Sequence, residues 1–104
     1  MTTTVNRLEQ KLMGNETYRR AVDLLEADID DELVALEPTK GACFGFNSVA
    51  KDVWRKLERP QSFEELKNEL LSEYEVTADQ CSEELRGLLD SMSWAQLIER
   101  TPAA

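Results

Sequence analysis

Residues 40–54 contain, in order, the end of a turn, a short apolar strand, a helix cap and the start of an amphipathic helix. The turn is predicted at residues 38–41, because proline fixes φ and glycine adopts positive φ at little cost. The strand that follows, Ala42–Phe46, alternates, so Cys43 and Gly45 share a nearly bare face and the other three residues share a bulky one. This segment joins a strand directly to a helix, which limits the folds open to the rest of the chain.

Two further strands are predicted before this segment. Residues 21–29 alternate imperfectly and form the first strand, with Leu25, Ala27 and Ile29 on one face. A two-aspartate turn leads into the second strand at residues 32–37. Together with Ala42–Phe46, these strands predict a three-stranded antiparallel sheet.

Three helices are predicted after the strands. The first begins at a cap on Asn47 or Ser48 and ends near residues 59–60. Two capping boxes open the second and third helices: Ser62 with Glu65, and Thr77 with Gln80. Each helix has apolar residues at the spacing of a buried stripe: Val49, Ala50, Val53, Trp54 and Leu57; Phe63, Leu66, Leu70, Leu71 and Tyr74; Cys81, Leu85, Leu88, Leu89 and Met92. A short apolar tail is expected to dock after them: Trp94, Leu97 and Ile98.

A run of strands followed by a run of helices predicts the α+β class. The arrangement is winged-helix-like, a three-stranded antiparallel sheet followed by three helices. The chain has 104 residues and fits one domain. We expect an N-terminal arm at residues 1–17, partly disordered or forming a short helix, a domain at residues 18–100 and a frayed tail at residues 101–104.

Charge and hydropathy exclude several kinds of partner. The formal net charge is −9, and residues 60–104, with 10 acidic and 3 basic side chains, contribute −7 of it. Nucleic-acid affinity comes mainly from Lys and Arg that neutralise phosphates, so such a domain repels polyanions. No apolar stretch approaches the roughly 20 residues that span a bilayer, and the N-terminus lacks the apolar core of a secretory signal. We therefore expect a cytoplasmic protein with no nucleic-acid or membrane partner.

Catalytic and metal chemistry are not expected either. The chain has no histidine, and it shows no nucleophile elbow, phosphate loop or metal-ligand set, so we predict no enzyme activity, no catalytic residue and no cofactor. The acidic cluster at residues 28–32 lacks EF-hand spacing, which favours a solvated hairpin tip over a calcium site. Cys43 and Cys81 lie 38 positions apart, form no CxxC pair and are both expected to be buried apolar side chains.

The order and spacing of these elements resemble the PqqD family of peptide modification chaperones, small modules that bind leader sequences of ribosomally made precursor peptides. The resemblance covers about residues 18–100 and rests on four segments: Glu32–Leu36, Gly41–Asn47 followed by Ala50 and Trp54, Ser62–Leu66, and Leu70–Val76 leading into Leu85, Leu88 and Leu89. The family usually closes its last helix with a glycine before a Leu-Leu or Leu-Ile pair. This chain has Gln96 there instead, and an additional Trp94.

The resemblance implies how a peptide is held. In similar modules the leader binds as an added strand along the free edge of the third strand, with its side chains in the groove between that strand and the third helix. The docking edge is then Ala42, Cys43, Phe44, Gly45 and Phe46, and the opposite wall is Cys81, Glu84, Leu85 and Leu88. Main-chain hydrogen bonds supply affinity and pockets for alternate side chains supply specificity. Gly87 either permits close approach of a backbone or is merely tolerated, since glycine costs about 1 kcal/mol in a helix relative to alanine.

The function implied by the resemblance is a non-catalytic adaptor that captures a precursor leader and hands it to a modifying enzyme. Lasso-peptide maturation, with a leader peptidase and a cyclase as partners, is the first interpretation. Pyrroloquinoline quinone assembly with a radical enzyme is the second. Outside peptide modification, a DNA-binding winged helix is disfavoured by the acidic third helix, and an acidic winged-helix module for protein interaction or dimerisation stays open. We expect a monomer or a weak dimer.

Overall fold

The computed structural model describes residues 16–102, which form two three-stranded antiparallel sheets and three helices. The strands are β1 Thr17–Arg20, β2 Leu25–Ile29, β3 Glu32–Glu37, β4 Ala42–Phe46, β5 Gln61–Ser62 and β6 Ile98–Thr101. The helices are α1 Ser48–Lys56, α2 Phe63–Glu73 and α3 Ala78–Trp94. This architecture confirms the predicted α+β class. None of the helices within residues 16–102 is long and apolar enough to cross a membrane.

The first sheet, in the order β2-β3-β4, is the one that the sequence predicts. Its first strand begins later than expected, at Leu25, because Ala21 donates its N–H to the carbonyl of Leu97 (2.9 Å) and the chain there belongs to the other sheet. In the turn before β4, Gly41 has a φ of 69° and donates to the Glu37 carbonyl (2.8 Å). The Glu37 carboxylate accepts the N–H of Lys40 (2.6 Å), which lowers the pKa of Glu37.

The second sheet, in the order β5-β1-β6, was not predicted. Strand β1 pairs with β6 from Thr17 opposite Thr101 to Arg20 opposite Ile98. The predicted boundaries at residues 17 and 101 therefore fall inside this sheet, while the predicted helix or disordered arm over residues 1–15 lies outside the described residues. Arg20 ties the sheet to α1, since its guanidinium donates to the Trp54 carbonyl (2.6 Å) and lies over the indole ring.

The helix starts follow the predicted caps. Ser62 forms a complete capping box, because its hydroxyl accepts the Glu65 N–H and the Glu65 carboxylate accepts the Ser62 N–H. The Thr77 hydroxyl accepts the N–H of Gln80. The box is not completed, because the Gln80 side chain does not accept the Thr77 N–H, and its amide nitrogen donates to Glu84 (3.4 Å). Helix α1 has Asn47 as its cap and ends at residue 56, a few residues before the predicted end.

The core lies between the sheets and the helices, with Trp54, Leu33 and Val53 fully buried. The buried tail is confirmed at Leu97 and Ile98. Three residues expected inside are exposed instead: Val49 (38%), Trp94 (90%) and Cys43. Trp94 lies two residues beyond buried Met92, which at 100° per residue points it away from the core. Val49 lies at the start of α1 beside a groove, and Cys43 lies on a sheet face that no described element covers.

Candidate functional site

One edge of the first sheet is open beside helix α3. The sheet order leaves β4 paired with β3 alone, and no other strand within residues 16–102 pairs with its second edge. An edge strand presents unpaired N–H and C=O groups along its open side. This edge is therefore able to accept hydrogen bonds from, and donate them to, an added strand.

Three adjoining depressions form what we call the β4–α3 groove. The middle depression is lined by Phe44, Gly45, Phe46, Asn47, Ala50, Leu88, Ser91, Met92, Ala95 and Leu97. The first end is lined by Val49, Leu70, Tyr74, Val76, Cys81, Glu84, Leu85 and Leu88. The second end is lined by Val22, Glu37, Thr39, Lys40, Ala42, Phe44, Ala95, Gln96 and Leu97. Leu88 lines both the first end and the middle depression, and Phe44 lines both the middle depression and the second end, so the groove is continuous.

The size and lining of the groove suit an extended chain. The depressions measure about 80, 290 and 270 Å³ and lie in a row along the groove. Apolar side chains form most of the walls, with Glu84 at the first end and Lys40 at the second. An extended peptide can place successive side chains in such a row of small depressions.

Eight of the nine residues predicted for the site line this groove. Phe44, Gly45 and Phe46 meet Leu88 in the middle depression. The remaining wall residues lie at the first end, and Ala42 lies at the second: Cys81, Glu84, Leu85 and Ala42. Cys43 does not line it, because alternation along β4 turns its side chain to the opposite face of the sheet.

Sequence reasoning missed the wall contributed by α1, α2 and the segment after α2. Val49, Leu70, Tyr74 and Val76 line the first end together with α3. Val49, Leu70 and Tyr74 belong to apolar stripes, which the sequence pattern assigns to the core without distinguishing residues at its rim. The Tyr74 hydroxyl donates to the Asp52 carboxylate. This hydrogen bond and partial burial raise the pKa of Tyr74 to about 12.

The thiol of Cys81 lies at the first end of the groove. Burial raises the pKa of the Cys81 thiol, which keeps it protonated and weakly nucleophilic. Within residues 16–102 no group of three Cys, Asp or Glu side chains is placed to hold a metal ion. What the groove offers is apolar surface and an open main-chain edge.

Helix α3 presents acidic side chains to solvent. Asp79, Glu83 and Asp90 are all exposed. Arg86 is the one basic residue of this helix, and its guanidinium lies over the ring of Phe63, 4.4 Å from the ring centre. A winged helix that reads DNA inserts this kind of helix into the major groove against phosphates, and an acidic helix is unsuited to that role.

Comparison with known proteins identifies the family. Residues 32–98 match the family described as "Coenzyme PQQ synthesis protein D (PqqD)". A solved structure described as "TbiB1 in Complex with the TbiA(beta) Leader Peptide" is similar to this chain at 30% sequence identity and a TM-score of 0.69, covering 78% of this chain and 94% of that one. No match is found among curated proteins. The resemblance seen in the sequence is confirmed, and the chain belongs to the PqqD family.

Proposed function

We propose that this protein is a non-catalytic adaptor that binds the leader segment of a ribosomally made precursor peptide and presents it to a modifying enzyme. The observation that carries the proposal is the open edge of β4 lying beside the apolar β4–α3 groove. A binding site of this kind needs no catalytic group. The binding domain comprises the predicted residues 18–100 together with Thr17 and Thr101, which complete the β1–β6 pair.

The leader adds as a strand to β4. Its main chain hydrogen-bonds the open edge of Ala42–Phe46, which supplies affinity independent of sequence. Alternate side chains enter the groove, where Leu85 and Leu88 face them, and Cys81 and Glu84 line the first end. Cys43 takes part through its backbone only, since its side chain lies on the other face.

The pathway is lasso-peptide maturation, in which a leader peptidase and a cyclase receive the peptide. Support comes from the similar structure, TbiB1, which was solved with a leader peptide. Pyrroloquinoline quinone assembly with a radical enzyme is the second candidate, favoured by the family description. Neighbouring genes distinguish the two: a short precursor beside a peptidase and an asparagine-synthetase-like cyclase indicates the first, and a radical enzyme beside a precursor bearing Glu and Tyr indicates the second.

The test is a titration of the purified chain with the synthetic leader encoded beside its gene. Two further leaders carry N-methyl groups on alternate residues. One is methylated at every second residue, and the other is methylated at the residues in between. A bound strand turns every second N–H toward its neighbour, so we expect one methylated leader to lose binding and the other to retain it. Absence of binding by the unmodified leader at tens of micromolar removes the proposal, and equal losses in both registers rule out strand addition.

A pair of variants locates the peptide in the groove. Leu88→Asp places a charge between two depressions, and we expect the dissociation constant to rise about tenfold or more. Gly87→Asp adds the same charge one residue away, at an exposed position where a Cβ meets nothing within 4 Å. It is expected to bind the leader as the wild type does. Equal weakening in both variants indicates a charge effect and no contact at Leu88.

A further inference from the structure

The first sheet turns an apolar face to solvent. Cross-strand pairing places Leu25 opposite Leu36 and Leu36 opposite Cys43 in one row, and Ala27 opposite Val34 in the next. Residues opposite each other point to the same face of a sheet. We call this surface the outer face: Leu25, Ala27, Ile29, Val34, Leu36 and Cys43.

The exposure of this face is large for a small domain. Leu25 is 62% exposed, Ile29 55% and Leu36 38%, and no described element packs on them. Scattered apolar side chains are ordinary on protein surfaces, but a contiguous patch marks an interaction site. We therefore expect a binding partner to cover this face.

The orientation of β2 is fixed by its polar residues. Glu26 points to the other side, where its carboxylate accepts the indole N–H of Trp54 at 2.9 Å. Asp28 points the same way, to the ammonium of Lys51 at 2.9 Å and the guanidinium of Arg55 at 2.8 Å. A shift of one residue in the register of β2 would bury its apolar side chains and break these contacts. The contacts of Glu26 and Asp28 therefore hold the apolar face outward.

Charge selects the kind of partner. The outer face ends at an acidic hairpin tip, Asp30, Asp31 and Glu32, and β2, β3 and β4 contain no Lys or Arg. A second copy would bring the same tip and the same net charge of −9, which opposes pairing of two such faces. A protein with an apolar patch bordered by Lys and Arg is complementary to it.

We infer that the outer face docks the modifying enzyme, through a basic-rimmed apolar patch on that enzyme. This inference rests on the proposed function, because it supplies the enzyme that the adaptor serves. The groove opens on the side of β4 that faces α3, whereas the outer face is on the reverse side of the sheet. Leader and enzyme can therefore be held at the same time.

The test uses the full chain, the encoded leader and the purified modifying enzymes encoded beside it. Ile29→Thr/Leu36→Thr removes apolar contacts and places a β-branched side chain, which is suited to strands, at both positions. We expect this variant to bind leader normally and to lose enzyme affinity about tenfold or more. Trp94→Ser is the matched control, since it removes an exposed apolar side chain (90%) from another surface and should leave both affinities unchanged.

Two more measurements identify the occupant. Asp31→Lys/Glu32→Lys is expected to weaken enzyme binding and flatten its dependence on salt. The exposed Cys43 thiol reports on the face directly, so its alkylation should be fast in the free chain, remain fast with leader alone and slow when enzyme is added.

Other outcomes would overturn the inference, and they differ from the outcome that would overturn the proposed function. Slow alkylation of Cys43 in the free monomer indicates that residues 1–15 cover the face, and slowing that depends on chain concentration indicates a second copy. Unchanged enzyme affinity in Ile29→Thr/Leu36→Thr places the enzyme elsewhere. Loss of leader binding by the wild type is a failure of the proposed function instead.

Discussion

The indole nitrogen of Trp54 donates a hydrogen bond to the carboxylate of Glu26 over 2.9 Å, and this contact joins β2 to α1. Trp54 is fully buried, so its N–H has no access to water and depends on this acceptor. Arg20 stands close by, with its guanidinium 3.8 Å from the same carboxylate. The pair fixes the side of β2 that faces the helices.

Replacing Glu26 tests the contact. Glu26→Leu leaves a buried N–H without an acceptor, and we expect the free energy of unfolding to fall by about 1–3 kcal/mol. Glu26→Gln keeps a carbonyl oxygen in place as an acceptor, so its free energy of unfolding should fall by less. Urea unfolding followed by tryptophan fluorescence measures both, and equal stabilities of the two variants contradict the role given to this hydrogen bond.

The residue after α3 offers a stabilising change. Gln96 has a φ of 63°, and it closes the helix by donating its N–H to the Ser93 carbonyl while Leu97 donates to Met92, the Schellman arrangement in which glycine is preferred. We expect Gln96→Gly to raise stability by about 1 kcal/mol. Gln96→Ala is the control, because it loses the same side-chain contact with Lys40 but keeps a Cβ. A glycine variant no more stable than the alanine variant refutes this explanation.

Gly87 is expected to be a tolerated residue. It is exposed, it lies outside the residues that line the groove, and a Cβ there meets nothing within 4 Å. We predict that Gly87→Ala raises the free energy of unfolding by about 0.5–1 kcal/mol and leaves leader affinity unchanged. Weaker leader binding in a more stable Gly87→Ala protein would show that a peptide approaches this helix face.

The two tyrosines predict a loss of stability at high pH. The pKa values of Tyr18, raised mainly by burial, and of Tyr74, raised mainly by its bond to Asp52, both move from 10.0 to about 12. The folded state holds these protons more tightly, so the contribution is complete below pH 10.0 and lost as the pH rises to about 12. We expect the phenolate absorbance of the native protein to rise at a higher pH than that of the unfolded chain. Tyr74→Phe should reduce the fall in stability, and native titration near pH 10.0 would contradict both shifts.

The features predicted from the sequence are the local ones. Capping at Ser62 and Thr77 depends on residues three positions apart, and the hairpins of the first sheet depend on turns of a few residues. The second sheet could not be predicted, because its strands have two to four residues and pair across most of the chain, as Thr17 does with Thr101. Short strands carry too little alternation to be recognised.

Which face of a strand points to the helices was harder to predict than the alternation along the strand. Alternation correctly grouped Leu25, Ala27 and Ile29 on one face, but it did not show that the opposite face, with Glu26 and Asp28, meets the helices, because that depends on partners carried by α1. Most of the groove followed from the family resemblance. The contribution of Val49 and Val76 did not, since it depends on how α1 and the loop after α2 converge on α3.

The pairing of β1 with β6 has a consequence for how such a module can be built into other proteins. Thr17 and Thr101 are neighbours across this antiparallel pair, so the two ends of the part that the structure describes, residues 16–102, lie side by side. Domains with adjacent ends tolerate insertion into a host protein. A host enzyme could accommodate this unit in one of its surface loops through a single junction, with the peptide-accepting edge carried in intact.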